Sequence, residues 1–374
     1  MQLDVFTVHV SDKTDWIVLR LTGPDGWVGI GEATLNRETA AVLAAVEPAA
    51  AAAAGATSAE AARMAVIAAI DGAVGRAIAS GLEQAALDLS GRRTGLPVHA
   101  LLGGAFRHKV PAYANINRGT LSRTPQEFAA RARKAASAGY TAVKLAPFDA
   151  VTAAATDDAA REALLADGLS RIRAVTQAVP SGVGVQIDCH SRFRADEAAA
   201  MLEAAAGCGV SWFEEPVAET AANRPALAAL RPQASALGVV TAGAESAGNL
   251  AEFLPFVVGG TYDIVMPDII LAGGPREVVR IGHLAAAFGV GASLHNPCGP
   301  VMDMASANTA AAMPTLVSLE RQFDESALYD EIVAARAHNF QDGAIGMTDA
   351  PGLGIRLDFS HPALVWQASH AVSL

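Results

Sequence analysis

The chain has 374 residues, of which 52% are hydrophobic and 17% are charged, and this composition is typical of a folded globular protein. A chain of this length accommodates one large core together with a smaller second domain. The formal net charge of −11 argues against nucleic acid or an anionic membrane as a partner. Small acidic ligands remain allowed, because a bound cation can reverse the sign of the charge locally.

The cysteines and the first residues indicate a reduced, cytoplasmic protein. Cys189, Cys208 and Cys298 are too few to form a disulfide framework. Residues 1–16 lack the basic stretch followed by an apolar run that marks a signal peptide. The alanine-rich segment 40–80 is interrupted by acidic residues, arginines and a proline, which predicts helices rather than a membrane span.

The N-terminal part of the chain predicts an α+β domain over residues 1–109. Three β-rich runs, DVFTVHV, WIVLRLT and WVGIGEA, occupy residues 4–33 and predict strands. A Pro-Asp-Gly turn precedes the third run. Helical segments are predicted to follow over 37–54 and 58–94.

From Val110 onward, apolar runs alternate with alanine-rich segments. The runs are rich in valine, isoleucine and leucine, as expected for strands of a parallel sheet that is covered on both faces. The first helix has a clear start signal, because Thr124 can cap it, Pro125 suits its first position and Glu127 completes a capping box. Strict strand–helix alternation over eight units favours a closed (β/α)8 TIM-type barrel over 110–334 rather than an open sheet.

Acidic or histidine residues follow six of these apolar runs in the second half of the chain. They are Asp188, Glu214, Glu245, Asp268, His295 and Glu320. The intervals between them each accommodate one strand, one helix and two loops. A barrel of this kind builds its active site from groups at the carboxyl ends of its strands. The pattern therefore predicts that these side chains converge at one rim.

Asp188, Glu214 and Glu245 are predicted to bind a metal ion. They end three consecutive strands, and three converging carboxylates would repel one another strongly without a cation. Ligation by oxygen alone suits Mg²⁺. The alternative is that they are ordinary loop acids or salt-bridge partners. Glu215 faces the opposite side of its strand and is interpreted as structural.

His295 and Asp268 are predicted to form a dyad. A carboxylate beside an imidazole fixes its tautomer and raises its basicity, so His295 is a candidate general base. His190 lies two residues after Asp188, so on a strand both side chains would face the rim centre, where His190 could donate a proton. The alternative for His190 is a histidine that only hydrogen-bonds to its neighbours in the site.

Lys144 and Glu320 complete the predicted rim. Lys144 belongs to the second predicted strand, 142–146, and lies across the barrel from the dyad. Glu320 could hydrogen-bond to a substrate oxygen. The alternative for Glu320 is an ion pair with Arg321 or Lys144.

These motifs resemble the enolase superfamily, specifically its mandelate racemase subgroup. The resemblance covers nearly the whole chain and is carried by LEQAALDLSGRRTGLPVHALLGG, GYTAVKLA, QIDCH, WFEEP, AGAES, MPDIILAGG, SLHNPCGP, SLERQ and PGLGIRLD. It implies a barrel beneath an α+β capping domain, which the N-terminal region forms together with the Gly/Pro-rich tail 335–374. It also implies a homo-oligomer.

The resemblance assigns roles to individual residues. It implies that one Mg²⁺ stabilises an ene-diolate formed from a carboxylate substrate. The matching positions are Asp188, Glu214 and Glu245 for the metal, Asp268 and His295 for the dyad, Glu320 for a carboxylate oxygen and Lys144 for the first lysine of Lys-x-Lys. Ala146 replaces the second lysine, so one proton-transfer group is missing. The Asp-x-His pattern at 188–190 and the HNPCGP motif are similar to those of sugar-acid dehydratases.

The expected function is Mg²⁺-dependent dehydration of a polyhydroxy acid by a hydro-lyase. His295 would remove the α-proton, and His190 would protonate the departing 3-hydroxyl to yield a 2-keto-3-deoxy acid. The alternatives are a racemase or epimerase, with Lys144 or His190 as second base, and a non-catalytic sugar-acid-binding relative. The substrate, its stereochemistry and the oligomeric state are left open by the sequence.

Further substrate contacts are predicted in loops near the rim. Candidates are the segments 11–15 and 35–38, where Arg37 could meet a distal hydroxyl or carboxylate. The alternative for Arg37 is an ordinary surface arginine. Asn117, near the end of the first barrel strand, could also contact substrate. The cysteines at 189 and 298 are interpreted as small apolar fillers rather than nucleophiles.

Overall fold

The computed structural model describes residues 1–152 and 157–372. Its strands are β1 (Gln2–Ser11), β2 (Thr14–Thr22), β3 (Val28–Glu32), β4 (Lys109–Asn115), β5 (Ala142–Leu145), β6 (Gly184–Asp188), β7 (Trp212–Glu214), β8 (Val240–Gly243), β9 (Ile264–Val265), β10 (Gly291–Leu294), β11 (Leu316–Gln322), β12 (Val333–Arg336), β13 (Asn339–Gln341), β14 (Ala344–Gly346), β15 (Ile355–Leu357) and β16 (Val365–Ala371). Its helices are α1 (Thr39–Ala53), α2 (Ala59–Ala69), α3 (Gly72–Thr94), α4 (Val98–Leu101), α5 (Pro125–Ser137), α6 (Asp158–Ala178), α7 (Ala198–Gly207), α8 (Arg224–Ala236), α9 (Leu250–Val258), α10 (Pro275–Ala287), α11 (Pro300–Ala311) and α12 (Leu328–Glu331). None of the helices in these ranges has both the length and the apolarity needed to cross a membrane.

The N-terminal domain is an antiparallel sheet of order β16-β1-β2-β3 packed on α1, α2 and α3. Leu3 and Val5 of β1 lie in the core shared with these helices, whereas Phe6 and Val8 belong to the core that continues into the barrel. Both faces of the sheet are therefore buried. This explains why apolar residues occupy both phases of the strand pattern, since successive side chains point to opposite faces.

The predicted helical segment 58–94 is divided into α2 and α3. Ile70 and Asp71 are extended, and Gly72 has a φ of +76°. A Cβ on Gly75 would lie 1.8 Å from the carbonyl oxygen of Ile70. The turn therefore depends on glycine, which tolerates both the left-handed φ and the close backbone contact.

Helix α3 covers the open edge of β3. The side chain of Gln84 exchanges two hydrogen bonds of 3.1 Å with the backbone of Glu32, and Asp88 accepts one of 2.9 Å from the N–H of Ile30. A Cβ on Gly31 would lie 2.0 Å from the carbonyl oxygen of Gly81, so the helix packs directly against the strand. An edge covered in this way cannot pair with another strand.

The second domain is a closed parallel barrel of strands β4 to β11. Neighbouring strands pair in chain order, and β11 closes the ring by pairing with β4, with Leu319 opposite Ala112. Helices α5 to α11 connect consecutive strands. The predicted barrel and its α+β cap are thus confirmed. After β11, the described chain has only the single turn α12 before β12, so no full-length eighth helix follows the last barrel strand.

The first barrel helix starts where the sequence predicts. The N–H of Glu127 donates to Oγ1 of Thr124 over 3.2 Å, with Pro125 in the first turn. The carboxylate of Glu127 accepts from the N–H groups of Leu121 and Ser122, at 3.0 and 2.6 Å, and from that of residue 123. The expected return bond of the capping box therefore stabilises the preceding loop rather than the cap residue itself.

The C-terminal segment contacts both domains. β16 adds to the cap sheet beside β1, with Ala371 opposite Gln2. β14 instead pairs antiparallel with the first residues of β4, with Ile345 opposite Val110. The tail therefore contributes to the barrel sheet as well as to the cap, and the proposed boundaries at 109/110 and 334/335 stay a prediction.

Glu32 connects the cap to the barrel. Its carboxylate accepts hydrogen bonds from the N–H groups of Gly299 and Met302 at 2.7 and 2.9 Å and from Oγ1 of Thr34 at 2.7 Å. Gly299 caps α11 and has no side chain, so Glu32 supplies the missing acceptor from another domain. Glu32 is 0% exposed, and burial raises its pKa.

We expect Glu32→Gln to destabilise the protein by about 1–3 kcal/mol, because an amide places donors against the N–H groups that the carboxylate now satisfies. Urea unfolding followed by circular dichroism measures this change. Glu47→Gln, at an exposed position of α1, is the matched control. Equal unfolding midpoints for the two variants would contradict a capping role for Glu32.

Candidate active site

Three carboxylates converge at the carboxyl end of the barrel. Asp188 ends β6, Glu214 ends β7 beside it, and Glu245 lies two residues beyond β8, after Ala244 turns the chain with a φ of +70°. One oxygen from each side chain lies within 4.8 Å of the others. The structure therefore brings the three predicted metal ligands together.

The carboxylate triad (Asp188, Glu214 and Glu245) is electrostatically unfavourable without a cation. Burial raises the pKa of Glu214 to about 8, and the two other carboxylates add to this effect while Lys144 opposes it. Burial also raises the pKa of Glu245, whose Oε2 is buried and has no hydrogen-bond partner. Burial alone would raise the pKa of Asp188, but His190 and Lys144 hold it below its ordinary value.

This donor set fits a hard divalent cation. The atoms that converge are all carboxylate oxygens, which Mg²⁺ prefers, and Oε2 of Glu245 is buried without a hydrogen bond. A dication would allow all three acids to ionise together. That these residues hold Mg²⁺ stays a prediction.

Lys144 lies inside the barrel beneath the triad. It is 0% exposed, and its Nζ donates to Glu214 over 2.6 Å and to Glu320 over 2.9 Å. Glu320 also accepts from Nδ2 of Asn115 at 2.5 Å and from the Tyr113 hydroxyl at 3.1 Å. The alternative that paired Glu320 with Lys144 thus describes the observed contact, and a hydrogen bond from Glu320 to substrate stays a prediction.

His295 and Asp268 form the predicted dyad. Nδ1 of His295 lies 2.8 Å from Oδ2 of Asp268, and Oδ1 of Asp268 accepts from the N–H of Ile270 at 2.6 Å. Nε2 of His295 lies 3.4 Å from Oε2 of Glu245 and so faces the triad. Burial would lower the pKa of His295, but Glu245, Glu320 and Asp268 raise it to about 10.

His190 reaches the site by a different route from the one predicted. β6 ends at Asp188, and His190 follows in a turn with a φ of +46°, so strand alternation does not place its ring. The turn is held by the N–H of His190, which donates to Oδ1 of Asp188 over 2.8 Å. Nε2 of His190 lies 2.7 Å from Oδ2 of Asp188, and that carboxylate, more than any other group, raises the pKa of His190 to about 11.

The two remaining contact predictions concern Asn117 and Arg37. Oδ1 of Asn117 accepts a hydrogen bond of 2.5 Å from the N–H of Ala146, which ties the end of β4 to that of β5. Arg37 is exposed, has a φ of +66°, and its N–H donates to the carbonyl of Lys13 over 3.2 Å. Substrate contacts from both residues stay predictions.

Other residues of the site were not singled out from the sequence. Nε1 of Trp212 donates to Oε2 of Glu214 over 2.7 Å, a contact that the two-residue spacing on one strand could have indicated. Asp149 contacts Nδ1 of His190 at 3.0 Å, but it lies in a turn where no periodic signal operates. Oε1 of Glu215 accepts from the N–H of Glu245 at 3.3 Å, in agreement with the structural role expected for it.

The nearby cysteines and a separate cavity do not extend the site. Cys189 and Cys298 are buried, and burial raises the pKa of both thiols, which suits small apolar fillers. A cavity of about 620 Å³ lies beside β11 and the tail, with Tyr140, Arg321 and Phe340 in its lining. The triad is not part of that lining.

An eight-stranded barrel with a carboxylate triad at its rim and an α+β cap defines an enolase-type fold. Residues 127–361 match the family described as "Enolase C-terminal domain-like". Residues 2–103 match "Mandelate racemase / muconate lactonizing enzyme, N-terminal domain". The chain therefore belongs to the mandelate racemase/muconate lactonizing enzyme family of the enolase superfamily, as the sequence motifs predict.

Several relatives carry dehydratase names. The chain is 29% identical to a D-gluconate dehydratase of Thermoproteus tenax over 75% of the chain and 54% of that protein. It is 28% identical to a D-xylonate dehydratase of Haloferax volcanii over 95% of the chain and 86% of that protein. A solved mandelate racemase/muconate lactonizing enzyme-like protein from a Roseovarius species superposes with a TM-score of 0.82 at 25% identity, covering 96% of this chain and 93% of that one.

Proposed function

We propose that this chain is a hydro-lyase that dehydrates a sugar acid by removing the proton α to the carboxylate and then the 3-hydroxyl. One observation carries the proposal. Two histidines, His190 and His295, flank the triad, and Nε2 of each lies within 3.4 Å of a triad carboxylate, Asp188 or Glu245. A β-elimination needs one base and one acid at adjacent carbons, and this pair of histidines supplies both.

His295 suits the role of base. Because Asp268 contacts Nδ1, the proton of the neutral ring resides there and the lone pair resides on Nε2, which faces the triad. His295 takes the α-proton, and the electron pair of that C–H bond moves toward the substrate carboxylate. In the second step this pair returns to form the C2–C3 double bond as the C3–O bond breaks. His190 supplies the proton that converts the departing hydroxyl into water, and the resulting enol tautomerises to a 2-keto-3-deoxy acid.

Lys144 and the triad prepare the site for a carboxylate. A bound Mg²⁺ would supply electrostatic stabilisation for the negative charge that develops on the substrate carboxylate as the proton leaves. Asp188, Glu214 and Glu245 are the residues that would hold it. The ammonium of Lys144, buried between two of the site's carboxylates, adds a fixed positive charge in a site of low dielectric constant.

Epimerisation is the second candidate. Two histidines beside one triad could also exchange a proton on either side of a single carbon, with His190 as the second base. Ala146 stands where the resemblance implies a second lysine, so the base on that side would have to be His190. Binding without catalysis is disfavoured, because an intact dyad is not needed merely to bind. The cytoplasmic setting and homo-oligomeric assembly stay predictions from the sequence.

A substrate screen tests the proposal. The relatives act on acids of different chain length, D-gluconate and D-xylonate, so the panel should contain five- and six-carbon mono- and diacids. We expect Mg²⁺-dependent formation of a 2-keto acid from at least one of them, detected chemically and by mass as loss of water. In deuterium oxide, an epimer one mass unit heavier than the substrate, formed without any ketone, would establish the second candidate instead.

A further inference from the structure

We propose that Asp149 is a positioning residue for His190, and that Arg123 holds Asp149 in place. The loop after β5 would then supply a second carboxylate–histidine pair that corresponds to Asp268–His295. This proposal rests on the proposed dehydration, because it assigns Asp149 as the group that orients His190, the acid of that reaction.

The ring of His190 is held at both nitrogens. Nδ1 lies 3.0 Å from Oδ1 of Asp149, and Nε2 lies 2.7 Å from Oδ2 of Asp188. The side chains of His190 and Asp149 are 38% and 42% exposed, so packing alone does not fix the ring. The contacts with Asp149 and Asp188 therefore fix the orientation of the ring together, and Asp149 is the carboxylate that lies outside the triad.

Asp149 is itself held by an arginine. Its second oxygen, Oδ2, pairs with Arg123, whose Nη2 also donates to the carbonyl of Ala146 over 2.6 Å. Arg123 lies over the ring of Phe128 at 4.8 Å, which restricts the guanidinium further. Arg171 of α6 donates to the carbonyls of Arg123 and Pro147 at 2.8 and 2.7 Å. The loop before α5 and the loop after β5 are therefore both bound to α6.

The arrangement also involves the backbone of Ala146. The family resemblance implies a second lysine at that position, and here a guanidinium binds the backbone of Ala146 instead. The same guanidinium orients the carboxylate that contacts His190. The proposed proton donor near position 146 is thus His190, which the loops after β5 and β6 supply and orient, and not a residue of a strand.

The two carboxylate–histidine pairs suit opposite proton transfers, since His295 accepts a proton from the substrate and His190 donates one to it. As an acid, His190 carries protons on both nitrogens. Nδ1–H is donated to Asp149, and Nε2–H, which contacts Asp188 at 2.7 Å, is the proton that is transferred to the departing hydroxyl. After that transfer, the proton left on Nδ1 is the one that Asp149 stabilises, and the exposed ring regains its other proton from water. Loss of Asp149 would leave Asp188 as the one of these two carboxylates that still holds the ring, so that either ring nitrogen could turn toward the triad.

The test measures the two chemical steps, removal of the α-proton and loss of the 3-hydroxyl, separately in Asp149→Asn. His190→Asn is the reference variant and Asp324→Asn is the matched control. Asp324 is a partly exposed aspartate in an arginine pair on the loop after β11. We expect Asp149→Asn to lower kcat for dehydration about 10- to 100-fold, part of the about 10²- to 10⁴-fold that a positioned acid contributes. KM and α-proton exchange with solvent deuterium, which report on substrate binding and on His295, should stay unchanged.

A 3-deoxy-3-fluoro analogue of the substrate sharpens the comparison. Fluoride departs without a proton, so its elimination should proceed equally in wild type, Asp149→Asn and His190→Asn. Equal losses of exchange, fluoride elimination and dehydration in Asp149→Asn would show general damage to the site and overturn the proposal. A raised KM with unchanged kcat would likewise overturn it.

A spectroscopic measurement keeps the inference independent of turnover. The chain has nine histidines, so ¹⁵N-histidine labelling yields an assignable set of ring signals. In wild type the Nδ1–H of His190 should give a downfield proton signal that exchanges slowly with water, as expected for a hydrogen bond to the Asp149 carboxylate, and Asp149→Ala should lose this signal. An unchanged signal in Asp149→Ala would reject the positioning role even if wild type dehydrated no acid, whereas its loss without any 2-keto product in wild type would reject only the proposed function.

Discussion

Replacing His295 with asparagine should abolish dehydration and α-proton exchange together. Asparagine can still accept or donate hydrogen bonds, but it cannot take a proton from carbon. General base catalysis contributes about 10²- to 10⁴-fold to such reactions, so we expect kcat to fall by at least that range. Asp268 directs Nε2 of His295 toward the triad, so the asparagine variant has no proton acceptor at that position.

The measurement is proton exchange in deuterium oxide followed by NMR, together with 2-keto acid formation. His283→Asn, at an exposed position of α10, is the matched control and should retain both activities. If His295→Asn still exchanged the α-proton at the wild-type rate, the base would have to be another residue. The role assigned to the dyad would then be wrong.

Removing one carboxylate from the triad should have opposite effects on metal binding and on the stability of the metal-free protein. In Glu245→Gln, we expect the affinity for Mg²⁺ to fall at least about 100-fold, the upper end of what loss of a residue supporting a metal ligand costs. The metal-free variant should nevertheless be more stable than metal-free wild type. The reason is that burial and the neighbouring Asp188 disfavour the ionised carboxylate of Glu245, and the contact of its Oε2 with Nε2 of His295, at 3.4 Å, offsets this only in part.

Calorimetric titration with Mg²⁺ and urea unfolding with and without Mg²⁺ measure both effects. For wild type, Mg²⁺ at about 100 times its dissociation constant should add about 2.7 kcal/mol to the free energy of unfolding, and the variant should lose this increment. Glu203→Gln, at an exposed position of α7, is the control. Equal stabilisation of Glu245→Gln and wild type by Mg²⁺ would remove Glu245 from the ligand set.

The rim residues could be predicted because a parallel barrel brings the carboxyl ends of its strands to one place. Asp188 and Glu214 end adjacent strands and are paired in register, so their positions in the chain were enough. His190 shows where this reasoning stops. The strand ends two residues before it, and a left-handed turn, which no alternation pattern encodes, brings its ring to Asp188.

Sequence alone determined the barrel, an α+β N-terminal domain and the residues at the strand ends, because each of these follows from local periodicity and from the spacing of one strand–helix unit. That the N-terminal domain caps the barrel was implied by the family resemblance. Tertiary structure decided which of those residues touch. The pairs Asp149–His190, Lys144–Glu214 and Glu32–Gly299 join residues 41, 70 and 267 positions apart. Such contacts depend on how the closed barrel and the cap pack, and their strength comes from burial that no single segment of the chain experiences by itself.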